Sequence, residues 1–241
     1  MKSYEAYLFD LYGTLIDIHT DESSLSFWKK ARVIFSVYGA RYEAKELKES
    51  YFSIIGEQEK KHAKAGHQIE IDIAEVFKEL FRRKGIESDM NQIKEVAWRF
   101  RQASTSHLRL YAGTTELLQV LRSKGKKIYL LSNAQSLFTM PELQMLGIKD
   151  LFNDIVISSD VGYRKPDPEI FGYLLEKHGL SKENCLMIGN DLSADVKGAA
   201  SAGIDSYYIH SDLSSHDRSD VEPAYRQNKM NLRFLLRKIL N

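Results

Sequence analysis

The sequence predicts an α/β protein: a doubly wound parallel sheet with a small all-helical domain inserted after the first strand. Three observations predict it. Five short apolar runs, Ala6–Phe9, Ile128–Ser132, Ile155–Ser158, Leu186–Gly189 and Tyr207–His210, read as strands buried on both faces. From Thr114 onward the stretches between them read as helices of about ten residues, which is the alternation of a parallel sheet with crossover helices. Residues 17–107 break that alternation with about four helical segments and no convincing strand.

Taken in order, Ala6–Phe9 is the first strand. The helical stretch then runs Leu25–Tyr38, with Phe27, Trp28, Ala31, Ile34 and Phe35 on one face, followed by Ala44–His62, Ile71–Lys84 and Met90–Ser104. Its aromatic positions read as bundle core rather than a cofactor box. Thr114–Lys124 carries Leu117, Leu118 and Leu121 at helical spacing and stops at Gly125; Pro168–His178 starts on proline and stops at Gly179; Ser193–Ala202 stops at Gly203. Met230–Leu240 is an amphipathic last helix. The expected division is residues 1–16 and 108–241 for the α/β core and 17–107 for a helical cap over the carboxyl ends of the strands, where it would exclude water and select substrate.

Composition narrows the function classes. The chain has 241 residues, 43% hydrophobic and 28% charged, with a formal net charge of +1. That balance gives no reason to expect a nucleic-acid or membrane-surface partner. No apolar run approaches the roughly 20 residues of a spanning helix. Met1–Glu5 leads directly into the first strand, so no signal peptide is expected and the cytoplasm is the default compartment. The single cysteine, Cys185, excludes an internal disulfide and reads as inert strand packing. Monomer and homodimer are both compatible with the sequence.

Four short motifs stand at successive strand ends. Asp10 ends the first strand in Asp10-Leu11-Tyr12-Gly13-Thr14, which projects a carboxylate into the crevice where open parallel sheets bind ligands. Ser132, followed by Asn133, ends the second and can hydrogen-bond a phosphoryl oxygen. Lys165, in Arg164-Lys165-Pro166-Asp167-Pro168, is a point charge able to balance a carboxylate nucleophile and a bound phosphoryl group. Asp191 and Asp195 close the set, four apart, and hard oxygen ligands there suit Mg²⁺. The same two acids could instead be a helix N-cap and a first-turn acid.

This ordered set resembles the haloacid dehalogenase (HAD) superfamily over essentially the whole chain, helical cap included. The resemblance implies Asp10 as nucleophile and Thr14, Ser132 and Lys165 on the phosphate side, with Tyr12 and Asn133 facing substrate. Asp10, Asp191 and the Tyr12 carbonyl would hold Mg²⁺, with Asp195 beside it as ligand or support. Arg32 and Arg41 are possible substrate-reading groups in the cap, although most arginines there are solvated helix faces.

Tyr12 departs from the usual Asp-x-Asp pattern. In the family's phosphatases the second aspartate protonates the leaving alkoxide and later activates water. Tyrosine, with a pKa near 10, is a poor base at neutral pH, and loss of positioned acid–base help costs roughly 10²–10⁴-fold. Haloacid dehalogenases carry tyrosine there, because halide leaves without a proton. They need no metal, however, and have serine and asparagine where this chain has Asp191 and Leu192, and tyrosine where it has Phe171. The expectation is a Mg²⁺-dependent hydrolase of a small phosphate ester, acting through an aspartyl-phosphate on Asp10 and favouring good leaving groups. The rivals are a 2-haloacid dehalogenase, or a low-turnover protein that binds a phosphometabolite or a partner.

Overall fold

The computed structural model describes residues 1–215 and 220–241. Strand β1 (Ala6–Phe9) is completely buried, as its uninterrupted apolar run requires. Among the described residues it sits inside a six-stranded sheet. The others are β4 (Lys127–Ser132), β5 (Asp154–Ile157), β6 (Cys185–Gly189), β7 (Asp205–Ile209) and β8 (Tyr225–Gln227), in the order β5-β4-β1-β6-β7-β8. All pairings in this sheet are parallel. Chain order reverses direction at β1, which pairs with β4 on one side and β6 on the other. The crevice beyond its carboxyl end is therefore the topological switch point.

The alternation of β1 divides the core in two. Tyr7 and Phe9 face helices α5 (Thr114–Ser123) and α10 (Leu232–Leu240), packing with Leu117, Leu121, Leu232 and Leu235. Ala6 and Leu8 face the opposite layer, where Ile170, Phe171 and Leu174 of α8 (Pro168–His178) and Ala199 of α9 (Gly198–Ser201) cover them. Burying each of the larger side chains contributes about 1.5–3 kcal/mol. Helix α8 begins as its sequence dictates: the Asp167 side chain accepts from Glu169 N, Pro168 takes the first turn, and Gly179 ends the helix in the left-handed region.

Four helices, α1 (Leu25–Val37), α2 (Ala44–His62), α3 (Ile73–Arg82) and α4 (Met90–Ser104), share a separate core in which Trp28, Phe35, Phe77, Phe81 and Phe100 are fully buried. The aromatic stripe of the sequence is thus packing.

Several features differ from the sequence reading. The stretch expected to lack strands is bounded by an antiparallel ribbon, β2 (Ile16–Thr20) with β3 (Thr105–Leu110). Ribbon residues such as Asp17, His107 and Arg109 are polar and pair across it, so no apolar run marks the strands. The stretch between β4 and β5 is helical as expected, forming α6 (Ser136–Met145) with Pro141 inside it, whereas the three-residue β8 lies outside the five apolar runs. The helix expected over Ser193–Ala202 is split into a wide π-type turn at Leu192–Lys197 and the short α9. Met230–Leu240 shortens to α10, which Asn231 caps. No described helix is long and apolar enough to cross a membrane.

Candidate active site

Asp10 leaves the end of β1 with its N–H donating to the Ile188 carbonyl of β6 at 2.9 Å. Its carboxylate is mostly buried, with Oδ1 2.8 Å from Lys165 Nζ and Oδ2 3.2 Å from the donating Thr14 hydroxyl. The turn that follows needs Gly13. Its φ is +85°, and a Cβ there would lie 2.3 Å from the Asn190 side chain. That close approach puts Asn190 Oδ1 3.1 Å from the Thr14 hydroxyl, whose single O–H is shared between Asn190 and Asp10.

Lys165 is fully buried and bridges two carboxylates, reaching Asp195 Oδ1 at 2.7 Å as well as Asp10. Burial works against its ammonium, but the two carboxylates outweigh that and hold the lysine above its ordinary range. Burial raises Asp195, an effect Lys165 opposes and the Asp10 charge reinforces. Asn133 fixes the lysine backbone: its side chain accepts from Lys165 N at 2.7 Å and donates to Lys165 O at 2.8 Å. The side chain expected to face substrate is thus committed to placing the lysine.

The two acids of the last motif part company. Asp195 is engaged at both oxygens, with Oδ1 on Lys165 and Oδ2 accepting from Asp191 N at 2.9 Å. Its neighbour Gly189 is indispensable, since a Cβ there would fall 2.1 Å from Asp195 Oδ2. Asp191 Oδ1 caps the wide turn, accepting from Ser193 N and Ala194 N. Its Oδ2 makes no hydrogen bond among the described residues. Among these residues no three histidine, cysteine or acidic side chains form a metal-holding cluster. Two carboxylates, Asp10 and Asp191, with a backbone carbonyl still suit Mg²⁺, which keeps several waters and takes substrate oxygens.

Ser132 ends β4, beside β1 at the same sheet edge. Its hydroxyl is buried and has no hydrogen-bond partner among the described residues. An orphaned hydroxyl in such a place costs stability unless a ligand satisfies it.

Sequence reading missed the surroundings of Tyr12. The phenol donates to Glu142 Oε2 of α6 at 2.5 Å and lies 3.0 Å from the Thr139 hydroxyl. Burial and the Glu142 charge push its pKa well above the ordinary value. Glu142 is itself buried and accepts from Arg101 Nε of α4 at 2.7 Å. A carboxylate on a proline-containing helix and an arginine near a bundle helix end give no sequence signal of meeting there. Tyr12, Thr139 and Arg101 line a cleft of about 630 Å³ with Glu22, Glu70, Asn133 and Phe138. Arg32 and Arg41 line a different pocket with Glu43 and Glu46.

A family model, haloacid dehalogenase-like hydrolase, matches residues 4–203. The chain belongs to the haloacid dehalogenase-like hydrolase family. The HAD-hydrolase YfnB of Bacillus subtilis is 26% identical over 232 residues, 95% of this chain and 94% of that protein. Its magnesium-bound structure covers all of both chains with a TM-score of 0.59 at 24% identity. A glyceraldehyde 3-phosphate phosphatase of Methanothermobacter thermautotrophicus is 35% identical over 115 residues; the match spans 48% of this chain and about half, 51%, of that relative. A 2-haloacid dehalogenase of Pseudomonas syringae superposes with a TM-score of 0.64 at 19% identity over 98% of each chain. At such identities the structural likeness shows the HAD fold alone, so the fold does not separate the two chemistries.

Proposed function

We propose that this HAD-like hydrolase is a phosphatase of a small phosphorylated metabolite, working through an aspartyl-phosphate on Asp10. The observation that carries the reading is the buried, unpartnered Ser132 hydroxyl beside the Asp10–Lys165 pair. A phosphoryl oxygen would satisfy it. The phosphatase named among the relatives supports the same class of chemistry.

Asp10 would attack phosphorus, form the acyl phosphate and release the alcohol oxygen with its bonding electrons. Water would then attack the same phosphorus, its proton passing to the phosphate that forms, and the P–O bond to Asp10 would break to return the carboxylate. Lys165 balances charge on nucleophile and phosphoryl group, while Thr14 and Ser132 donate to phosphoryl oxygens. Asp10, Asp191 and the Tyr12 carbonyl would hold Mg²⁺, with Asp195 as the support that orients Lys165. Bound there, Mg²⁺ would supply further neutralisation of phosphoryl charge. Tyr12 keeps its proton, because Glu142 accepts from it and burial disfavours the phenolate. Esters whose leaving group departs without protonation therefore turn over fastest, and an alkoxide leaving group takes its proton from water or from the substrate itself.

The test is hydrolysis of p-nitrophenyl phosphate with and without Mg²⁺, beside an Asp10→Asn variant. Metal-dependent turnover lost in the variant is the expected result. No turnover with Mg²⁺, together with metal-independent halide release from 2-chloropropionate, would replace the reading with dehalogenation.

A further inference from the structure

Arg101 belongs to the helical bundle, yet it lines the cleft over the nucleophile turn, and its side chain is only 13% exposed. Nε is spent on Glu142 at 2.7 Å. The guanidinium carbon lies 5.7 Å from the Tyr12 ring centroid and 5.3 Å from that of Phe138. Glu142 and these two rings fix the plane of the group. Its terminal nitrogens, Nη1 and Nη2, donate no hydrogen bond among the described residues. What remains is a fork of N–H groups on a side chain that lines the cleft, with Glu22 the other charge beside it, and such a fork matches a planar oxyanion.

We propose that Arg101 is the specificity-determining residue of this cleft and reads a carboxylate on the part of the phosphate ester that departs. The inference rests on the phosphatase reading above. The transferred phosphoryl group is not its target. Lys165, Thr14 and Ser132 gather for that group at the sheet edge, whereas Arg101 approaches from the bundle across the Tyr12 ring. The cleft of about 630 Å³ is lined by Tyr12 of the nucleophile turn and by Asn133 beside Ser132, and has room for a leaving group of several carbons. The substrate class is thus phosphorylated hydroxy acids. Glu142 is the positioning residue, since it orients the guanidinium without facing the cleft lining itself.

A matched pair of probes tests this: 3-phosphoglycerate and glycerol 3-phosphate, which differ in a carboxylate against a hydroxymethyl group. With Mg²⁺ present, the wild type is expected to favour the acid by about tenfold to a hundredfold in kcat/KM, the size of lost charge-assisted hydrogen bonds. Arg101→Met combined with Glu142→Gln, which removes both charges of the buried pair together, brings the ratio close to one. Arg101→Lys lowers it partway, mainly through KM for the acid. A wild-type ratio of one or less overturns the proposal without any variant, as does a preference that survives in the double variant. Should the double variant fail to fold, the wild-type ratio and Arg101→Lys decide. If the wild type leaves p-nitrophenyl phosphate untouched, the phosphatase reading fails first, and that outcome is distinct from turnover without preference for the acid.

Discussion

Replacing Lys165 with methionine removes the cation that two carboxylates share. Lys165 Nζ lies 2.8 Å from Asp10 and 2.7 Å from Asp195, with Asp195 about as buried as the lysine itself. Methionine fills much of the same volume, so the cost is electrostatic rather than a cavity. Breaking a buried pair by deleting one partner costs about 3–5 kcal/mol, because the remaining charge is stranded. For a chain of this size each kcal/mol moves the midpoint by about 2–4 °C, so Lys165→Met should melt roughly 6–20 °C below wild type at pH 7. The pH dependence has a definite sign. Burial already raises Asp195, and losing Lys165 raises it further. A carboxyl with a raised folded pKa destabilises above that pKa and ceases to do so once protonated. The deficit of the variant therefore narrows as pH falls from 7 to 5. Adding Asp195→Asn to Lys165→Met should recover most of the loss. Thermal melts of the four proteins at both pH values check this by double-mutant cycle. A Lys165→Met protein within about 1 kcal/mol of wild type, with no pH dependence in the difference, would refute the reasoning about a charged buried triad.

Other outcomes follow from the same geometry. Ser132→Ala should slow p-nitrophenyl phosphate turnover about 10–100-fold, the worth of a hydrogen bond to a charged phosphoryl oxygen. It should raise the stability of the ligand-free protein by about 1 kcal/mol or more, since it removes a buried hydroxyl that has no partner among the described residues. Parallel kinetics and urea melts separate the two effects. Gly189→Ala should cost more than about 3 kcal/mol or fail to fold, because its Cβ would stand 2.1 Å from Asp195 Oδ2; a urea midpoint near wild type would contradict this. Cys185 should resist iodoacetamide in the native protein at pH 8 and react once unfolded. Burial pushes the thiol up to about 11, and it sits inside β6; rapid native labelling read by mass spectrometry would count against it.

The sheet was legible because its strands are buried on both faces, and a run such as Tyr7-Leu8-Phe9 has few other ways to fold. The ends of those strands were legible for the same reason, which placed Asp10, Ser132 and Asp191 at one edge. What escaped has physical causes. The β2–β3 ribbon alternates apolar and charged residues over only five or six positions, and Asp17 with Arg109 gains its stability across the ribbon rather than along the chain. The roles of Asn133, Asp195 and Glu142 depend on bonds that span 30 to 41 residues of sequence, which no local pattern encodes. The sequence singled out Arg32 and Arg41 as possible substrate-reading groups and gave no signal for Arg101. Only the packing of α4 against α6 brings Arg101, and neither of the others, to the cleft.

The central claim is that Asp10 takes the phosphoryl group. Rapid acid quench of the wild-type protein during turnover of p-nitrophenyl phosphate with Mg²⁺, followed by peptide mass spectrometry, tests it directly. The account predicts one phosphoryl group on the peptide bearing Asp10, absent without Mg²⁺ and absent in Asp10→Asn. Turnover with no modification of that peptide, or equal turnover by Asp10→Asn, would contradict it.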